Sequence, residues 1–94
     1  MSVTPVAPHT SFTYDGAILN IFYAKKGEGL PRHEHRYAHA TVCTAGSCVV
    51  RKAVKELVIT KYSEPLNLVH DEWHEIEALE DDTVFINIFA EGAR

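Results

Sequence analysis

Along most of the chain, apolar residues recur in short clusters with a two-residue beat, separated by glycine, proline or acidic pairs. Alternation of this kind places apolar side chains on one face of an extended segment, so the chain reads as a succession of strands. Residues 11–14 form the first, ahead of an Asp15-Gly16 turn. The next, AILNIFYA over 17–24, is apolar on both parities, which predicts burial on both faces or cover from a partner subunit. With two glycines and a proline, 25–31 reads as loop. Strands over 38–45 and 48–53 flank a turn at Ala45-Gly46-Ser47, and a connection at 53–55 leads into a strand over 56–62. A turn over 61–65 precedes a short strand at 66–69. HEIEAL, 74–79, alternates cleanly: His74, Ile76 and Ala78 share an inward face while Glu75 and Glu77 face water. After the acidic turn Glu80-Asp81-Asp82 comes TVFINIFA, with Phe85, Asn87 and Phe89 on a parity suited to line a cavity and Val84, Ile86 and Ile88 on the other. Eight or nine short strands without an amphipathic helix predict an all-β sandwich or barrel. Residues 1–9, with Pro5 and Pro8 and no sustained pattern, read as an N-terminal arm that is loose or docks on a neighbour; 10–94 read as the barrel domain.

Composition narrows the function classes. The 94 residues leave room for one domain. A formal charge of −4, with Lys25–Lys26, Arg51–Lys52 and the other bases scattered and outnumbered by acids, argues against a nucleic-acid surface. No apolar run approaches the roughly eighteen residues needed to span a bilayer. The opening MSVTPVAPHTS has neither the basic start nor the apolar core of a secretory leader, so cytoplasmic residence is the default expectation. Cys43 and Cys48 lack the spacing of a zinc knuckle and read as two buried thiols. A barrel this small, with a two-sided apolar strand near its N-terminus, is expected to bury that surface against a copy of itself as a homodimer.

The chemistry concentrates in GEGLPRHEHRYAHATVCTAG, from Gly27 to Gly46, which holds His33, His35 and His39. On a fully extended chain the three would share a face, yet His35 and His39 would lie roughly 13 Å apart. That is too far to share an ion with bonds near 2.1 Å. The chain must therefore turn or bulge around Arg36, Tyr37 and Ala38.

Gly27, His33, His35, His39 and Gly46, at these spacings, resemble the first motif of the cupin superfamily, in which a glutamate usually stands where His39 does here. VHDEWHEIEAL resembles the second motif, with His74 in the ligand place and Val69 and Asp71 where proline and glycine are usual. The resemblance runs from about Ala17 to Phe89. It implies a single-domain cupin-type barrel, a double-stranded β-helix or jelly roll, of the subset in which a fourth histidine replaces the glutamate. His70 would take the ligand place only in an alternative register starting at Pro65, and the inward parity of His74 favours the latter.

An all-imidazole set suits a divalent first-row ion, Fe, Mn, Ni, Cu or Zn, and lacks the carboxylate that Mg or Ca requires. Four ligands either close a tetrahedral site or leave two positions of an octahedron open. Open positions imply, by the same resemblance, a metal-dependent oxygenase (dioxygenase, oxidoreductase) acting on a small organic substrate in the barrel. The alternative is a non-catalytic small-molecule binding or sensing cupin in which the ion organises the ligand or the barrel. Tyr37, in the turn between ligands, is the candidate catalytic group. Arg32, Glu34 and Asp71 are further polar neighbours, of which Glu34 should face solvent. Trp73 reads as core before cavity wall.

Overall fold

The computed structural model describes residues 2–92. The outermost residues of the arm and barrel ranges, 1, 93 and 94, lie outside them. Ten strands and no helix are found among the described residues: β1 (Thr4–Pro5), β2 (Thr10–Tyr14), β3 (Ala17–Ala24), β4 (Glu28–His33), β5 (His39–Ala45), β6 (Ser47–Lys52), β7 (Glu56–Thr60), β8 (Leu66–Leu68), β9 (His74–Ala78) and β10 (Thr83–Ala90). They make two five-stranded sheets, ordered β1-β4-β9-β6-β7 and β2-β3-β10-β5-β8. All pairings are antiparallel except β1 with β4.

The two-residue beat does what it predicts. Inward positions of β9 (His74, Ile76, Ala78) and of β10 (Thr83, Phe85, Asn87, Phe89) are buried, and their alternates are partly exposed. Between the sheets, Phe22 and Phe85 stack with ring centroids 4.8 Å apart, and Cys43, Cys48, Val50, Ile59, Leu68, Ile76 and Ala78 complete a core beside them. Both cysteines are free thiols, and burial raises the pKa of each.

Three features depart from the sequence reading or go beyond it. The segment 25–31 is not all loop, because Glu28–His33 is a strand paired with β9. Its glycine is there for contact: a Cβ on Gly29 would collide with the backbone of Ile76. Pro31, which offers no N–H, falls where the β4–β9 register shifts between Leu30 and His33. Secondly, the strands flanking Gly46 do not pair as a hairpin. β5 pairs with β10 and β8, and β6 with β7 and β9, so Gly46 is a corner between sheets. It has φ +70°, and a Cβ there would strike Thr83. Thirdly, β3 is buried on one face only within the chain, with Ile18, Phe22 and Ala24 buried and Tyr23 exposed, so of the two expectations for this strand only cover from a partner subunit stays open. Within the arm, Val3 is buried and Thr4–Pro5 pairs with Glu28–Gly29 of the chain's own sheet.

Candidate metal centre

β4 ends at His33, the chain bends at residues 36–37, and β5 starts at His39 in the opposite sheet. The turn demanded by the histidine spacing is thus the crossing from one sheet to the other. His33 pairs in register with His74 on β9. The fixed strands therefore supply His33 and His74 from one sheet and His39 from the other, with His35 between them. One donor atom from each of the four rings lies within 4.8 Å of the others. His39 and His74 are buried.

Asp71 stands where the second motif usually has glycine, and it adopts φ +59°, a left-handed geometry that aspartate tolerates. Its N–H donates to the carbonyl of His35 at 2.8 Å, tying the two histidine segments together. His70 is exposed, contacts Asp71 Oδ2 at 3.1 Å and stays outside the cluster. His9 stacks on Tyr23 at 4.2 Å and is exposed. Glu34 and Arg32 are exposed, and the Arg32 guanidinium sits 3.9 Å over the ring of half-buried Trp73. Trp73 belongs neither to the aromatic core nor to the cavity at the histidines: it lies next to the histidine strand β9, half-buried and capped by a cation.

Ring protonation follows from the partners. His33 Nδ1 lies 2.7 Å from the carbonyl of Pro31, and His74 Nδ1 lies 3.2 Å from that of Glu72. A carbonyl only accepts, so each Nδ1 carries the proton. His39 Nδ1 is 3.2 Å from Thr41 Oγ1, whose own proton goes to Asn87 Oδ1 at 2.7 Å. The hydroxyl thus accepts from His39 Nδ1–H. Burial drives the pKa of His39 and of His74 down to about 4, with the neighbouring imidazoles adding to the effect. The neutral rings consequently direct bare Nε2 lone pairs at one another, and those of His39 and His74 are 3.4 Å apart with no proton between them.

Two lone pairs so placed repel, and a cation between them removes the repulsion. At bonds near 2.1 Å, a 3.4 Å separation corresponds to an N–metal–N angle of about 108°. The overall span of 4.8 Å exceeds the roughly 4.2 Å that two bonds to one ion can bridge, so the outermost donor must move inward by at least about 0.6 Å. His35 adds a further sign. Both its ring nitrogens are buried without a hydrogen-bond partner. Burial lowers its pKa, and the Tyr37 backbone opposes the shift. Its ring is held by stacking on Tyr37, with centroids 4.2 Å apart and planes 9° from parallel. The residues fit a divalent transition ion.

The cluster opens into a cavity of about 330 Å³ lined by Asn20, Phe22, Leu30, Tyr37, Asn87, Phe89 and three of the histidines, with no carboxylate, ammonium or guanidinium. Thr41 and Asn20 went unread at the sequence level. For Thr41 the signal existed, since it follows His39 by two residues on a strand and so shares its face.

Fold and histidines together define a double-stranded β-helix barrel with a four-imidazole cluster that can hold a metal between its sheets. Comparison with solved structures identifies the architecture as the cupin fold. KdgF from a Halomonas species superposes with a TM-score of 0.77 at 17% identity over 86% of this chain and 74% of the other. A cupin-2 domain-containing protein from Shewanella frigidimarina gives 0.72 at 9% identity over 89% and 82%. A protein with a double-stranded β-helix domain from Klebsiella pneumoniae gives 0.74 at 11% identity over 94% and 78%. No family model and no curated protein sequence matches the chain.

Proposed function

We propose that the chain is a metal-dependent enzyme of the oxygenase type, acting on a small organic substrate in the barrel cavity, with one divalent first-row ion on His33, His35, His39 and His74. The observation that carries it is the convergence of one ring nitrogen from each of four histidines, the Nε2 atoms of His39 and His74 among them unprotonated, at a point that opens into the cavity instead of being sealed by protein. When bound, the ion supplies Lewis acidity and, as iron, copper or manganese, one-electron exchange with dioxygen. The chain supplies the rest. Carbonyls of Pro31 and Glu72 and the Thr41 hydroxyl fix the tautomers of His33, His74 and His39, and Phe22, Leu30 and Phe89 give the cavity apolar walls. Tyr37, a cavity-lining phenol within 5.1 Å of the Phe89 ring, is the group able to give or take a proton there. Likeness to KdgF and to a cupin-2 domain protein supports the barrel fold that encloses this cluster and its cavity.

Metal analysis of the protein as isolated, with dioxygen consumption measured across candidate substrates, tests the proposal. Iron, copper or manganese near one per chain, lost in His74→Ala, supports it. Zinc closed by four imidazoles with no exchangeable position leaves the non-catalytic binding or sensing role, and absence of metal ends both.

The proposed assembly is a homodimer through the outer face of β2-β3-β10-β5. Phe12, Tyr14, Leu19, Ile21, Tyr23, Val42, Val84, Ile86 and Ile88 lie there by register and parity, without a charged side chain on those strands' outward positions. Strands of five, eight, eight and seven residues spaced about 4.8 Å give about 460 Å² per copy, so two copies bury about 900 Å², just under the roughly 1,000 Å² of a specific interface and in the range of a weak dimer. Light scattering at micromolar concentration should give twice the chain mass, falling to one chain mass in Ile86→Lys.

A further inference from the structure

The floor of the cavity, between the histidines and the aromatic core, is made of two carboxamides set side by side. Asn20 on β3 and Asn87 on β10 are register partners on the inner face, and both line the cavity. Each is held by its oxygen. Asn20 Oδ1 accepts from Ser11 Oγ at 2.6 Å, and Asn87 Oδ1 accepts from Thr41 Oγ1 at 2.7 Å. That leaves the two amino groups, four N–H donors in all, and no acceptor among the described residues takes either Nδ2. Thr41 is in register with Asn87, and His39 follows the same face of β5 one alternation further, so the donor floor lies about 7 Å from the histidine layer.

Charge points the same way. Four neutral imidazoles leave a bound divalent ion with its full charge, and no acid lines the cavity to offset it. A ligand that fills this space is favoured when it brings its own negative oxygen to the ion and a second acceptor oxygen to the floor. Resting on the metal assignment above, we infer that the cavity selects small organic acids with an oxygen-bearing group at each end, one end on the ion and the other read by Nδ2 of Asn20 and Asn87. The apolar walls of Phe22, Leu30 and Phe89 accommodate the carbon skeleton between them.

The probes are succinate, malonate and the one-ended control butyrate, titrated against the cobalt(II)-loaded chain and read by visible absorption. One of the two dicarboxylates should perturb the cobalt bands at a concentration at least tenfold below butyrate. In Asn20→Leu, whose only lost partner is exposed Ser11, that preference should collapse to within threefold through a weaker dicarboxylate titration, while the cobalt spectrum of the ligand-free chain stays as before. Asn20→Asp keeps the Ser11 contact but turns a donor into an anion, and should invert the preference. Equal response to all three acids in the unaltered chain, or a preference that survives Asn20→Leu, overturns the inference and leaves the metal centre standing. A chain that takes up no cobalt removes the metal centre and the inference together.

Discussion

Thr41→Val is the most exacting perturbation of this site, because it changes one atom that touches no metal. The side chain is fully buried, and valine preserves its shape. What disappears is a hydroxyl that accepts from His39 Nδ1 at 3.2 Å and donates to Asn87 Oδ1 at 2.7 Å. Each buried polar atom left without a partner costs about 1–3 kcal/mol, and the Asn87 share is reduced because that residue faces the cavity. A stability loss of roughly 1–3 kcal/mol follows. With no acceptor at Nδ1, the His39 proton is free to sit on Nε2, the atom meant for the metal. Removal of such an orienting partner weakens metal binding about 10- to 100-fold. Competition for zinc against a chromophoric chelator measures the affinity, and urea unfolding of the metal-free chain measures the stability. Thr41→Ser restores the hydroxyl and should return affinity to within a few fold of the unaltered chain. Zinc affinity unchanged in Thr41→Val, or as weak in Thr41→Ser as in Thr41→Val, would refute the tautomer relay.

Three further outcomes are expected. The metal-free chain should lose stability as pH falls: His39 and His74 have folded pKa values near 4 against 6.5 when unfolded, so between those limits the unfolded state binds protons that the folded state rejects. That amounts to about 2 kcal/mol for either ring at pH 5 relative to pH 7, and an unfolding midpoint identical at the two values would contradict it. Chelation should lower the melting temperature of the metal-loaded chain by roughly 10–20 °C, since an ion at about 100 times its Kd contributes about 2.7 kcal/mol; a melting curve indifferent to chelator speaks against a site on the folded chain. Gly29→Ala should cost about 2–3 kcal/mol, because the new methyl collides with Ile76 backbone that has no rotamer to escape into, and a wild-type denaturation midpoint would show that the β4–β9 ladder yields more easily than its geometry implies.

Most of the barrel was legible because its strands keep one face dry and the other wet. β9 and β10 announce themselves by strict alternation, and their inward residues follow by parity alone. β4 escaped because the residues that usually end strands are here required inside one: Gly29 lets two backbones approach, and Pro31 sits where the ladder is already interrupted. The corner at Gly46 was legible as a turn but not as a crossing between sheets. That distinction depends on which partner strand captures each arm, a long-range choice that local pattern does not carry. Likewise β3 looks two-sided from its composition, yet one face meets the core and the other lies open among Leu19, Ile21 and Tyr23.

The histidine cluster makes a different demand on the same scaffold. On the sheet that carries His74, the inward positions one layer further into the barrel are Ile76 and Val50, both fully buried, which is what stability alone would select at the histidine layer as well. Instead, that layer buries His39 and His74, whose charged forms the site so disfavours that they stay neutral to about pH 4. It aims two lone pairs at each other across 3.4 Å and leaves both nitrogens of His35 without a partner. Each feature costs folding free energy and none contributes packing that leucine would not supply better. A single cation reverses the sign of all three at once. It gives His35 a partner, turns the facing lone pairs into two bonds, and makes neutrality at low pH an advantage in competing with protons. The strain in the metal-free layer is thus itself the physical reason to expect an ion there, independent of the motif spacing that first singled out these residues.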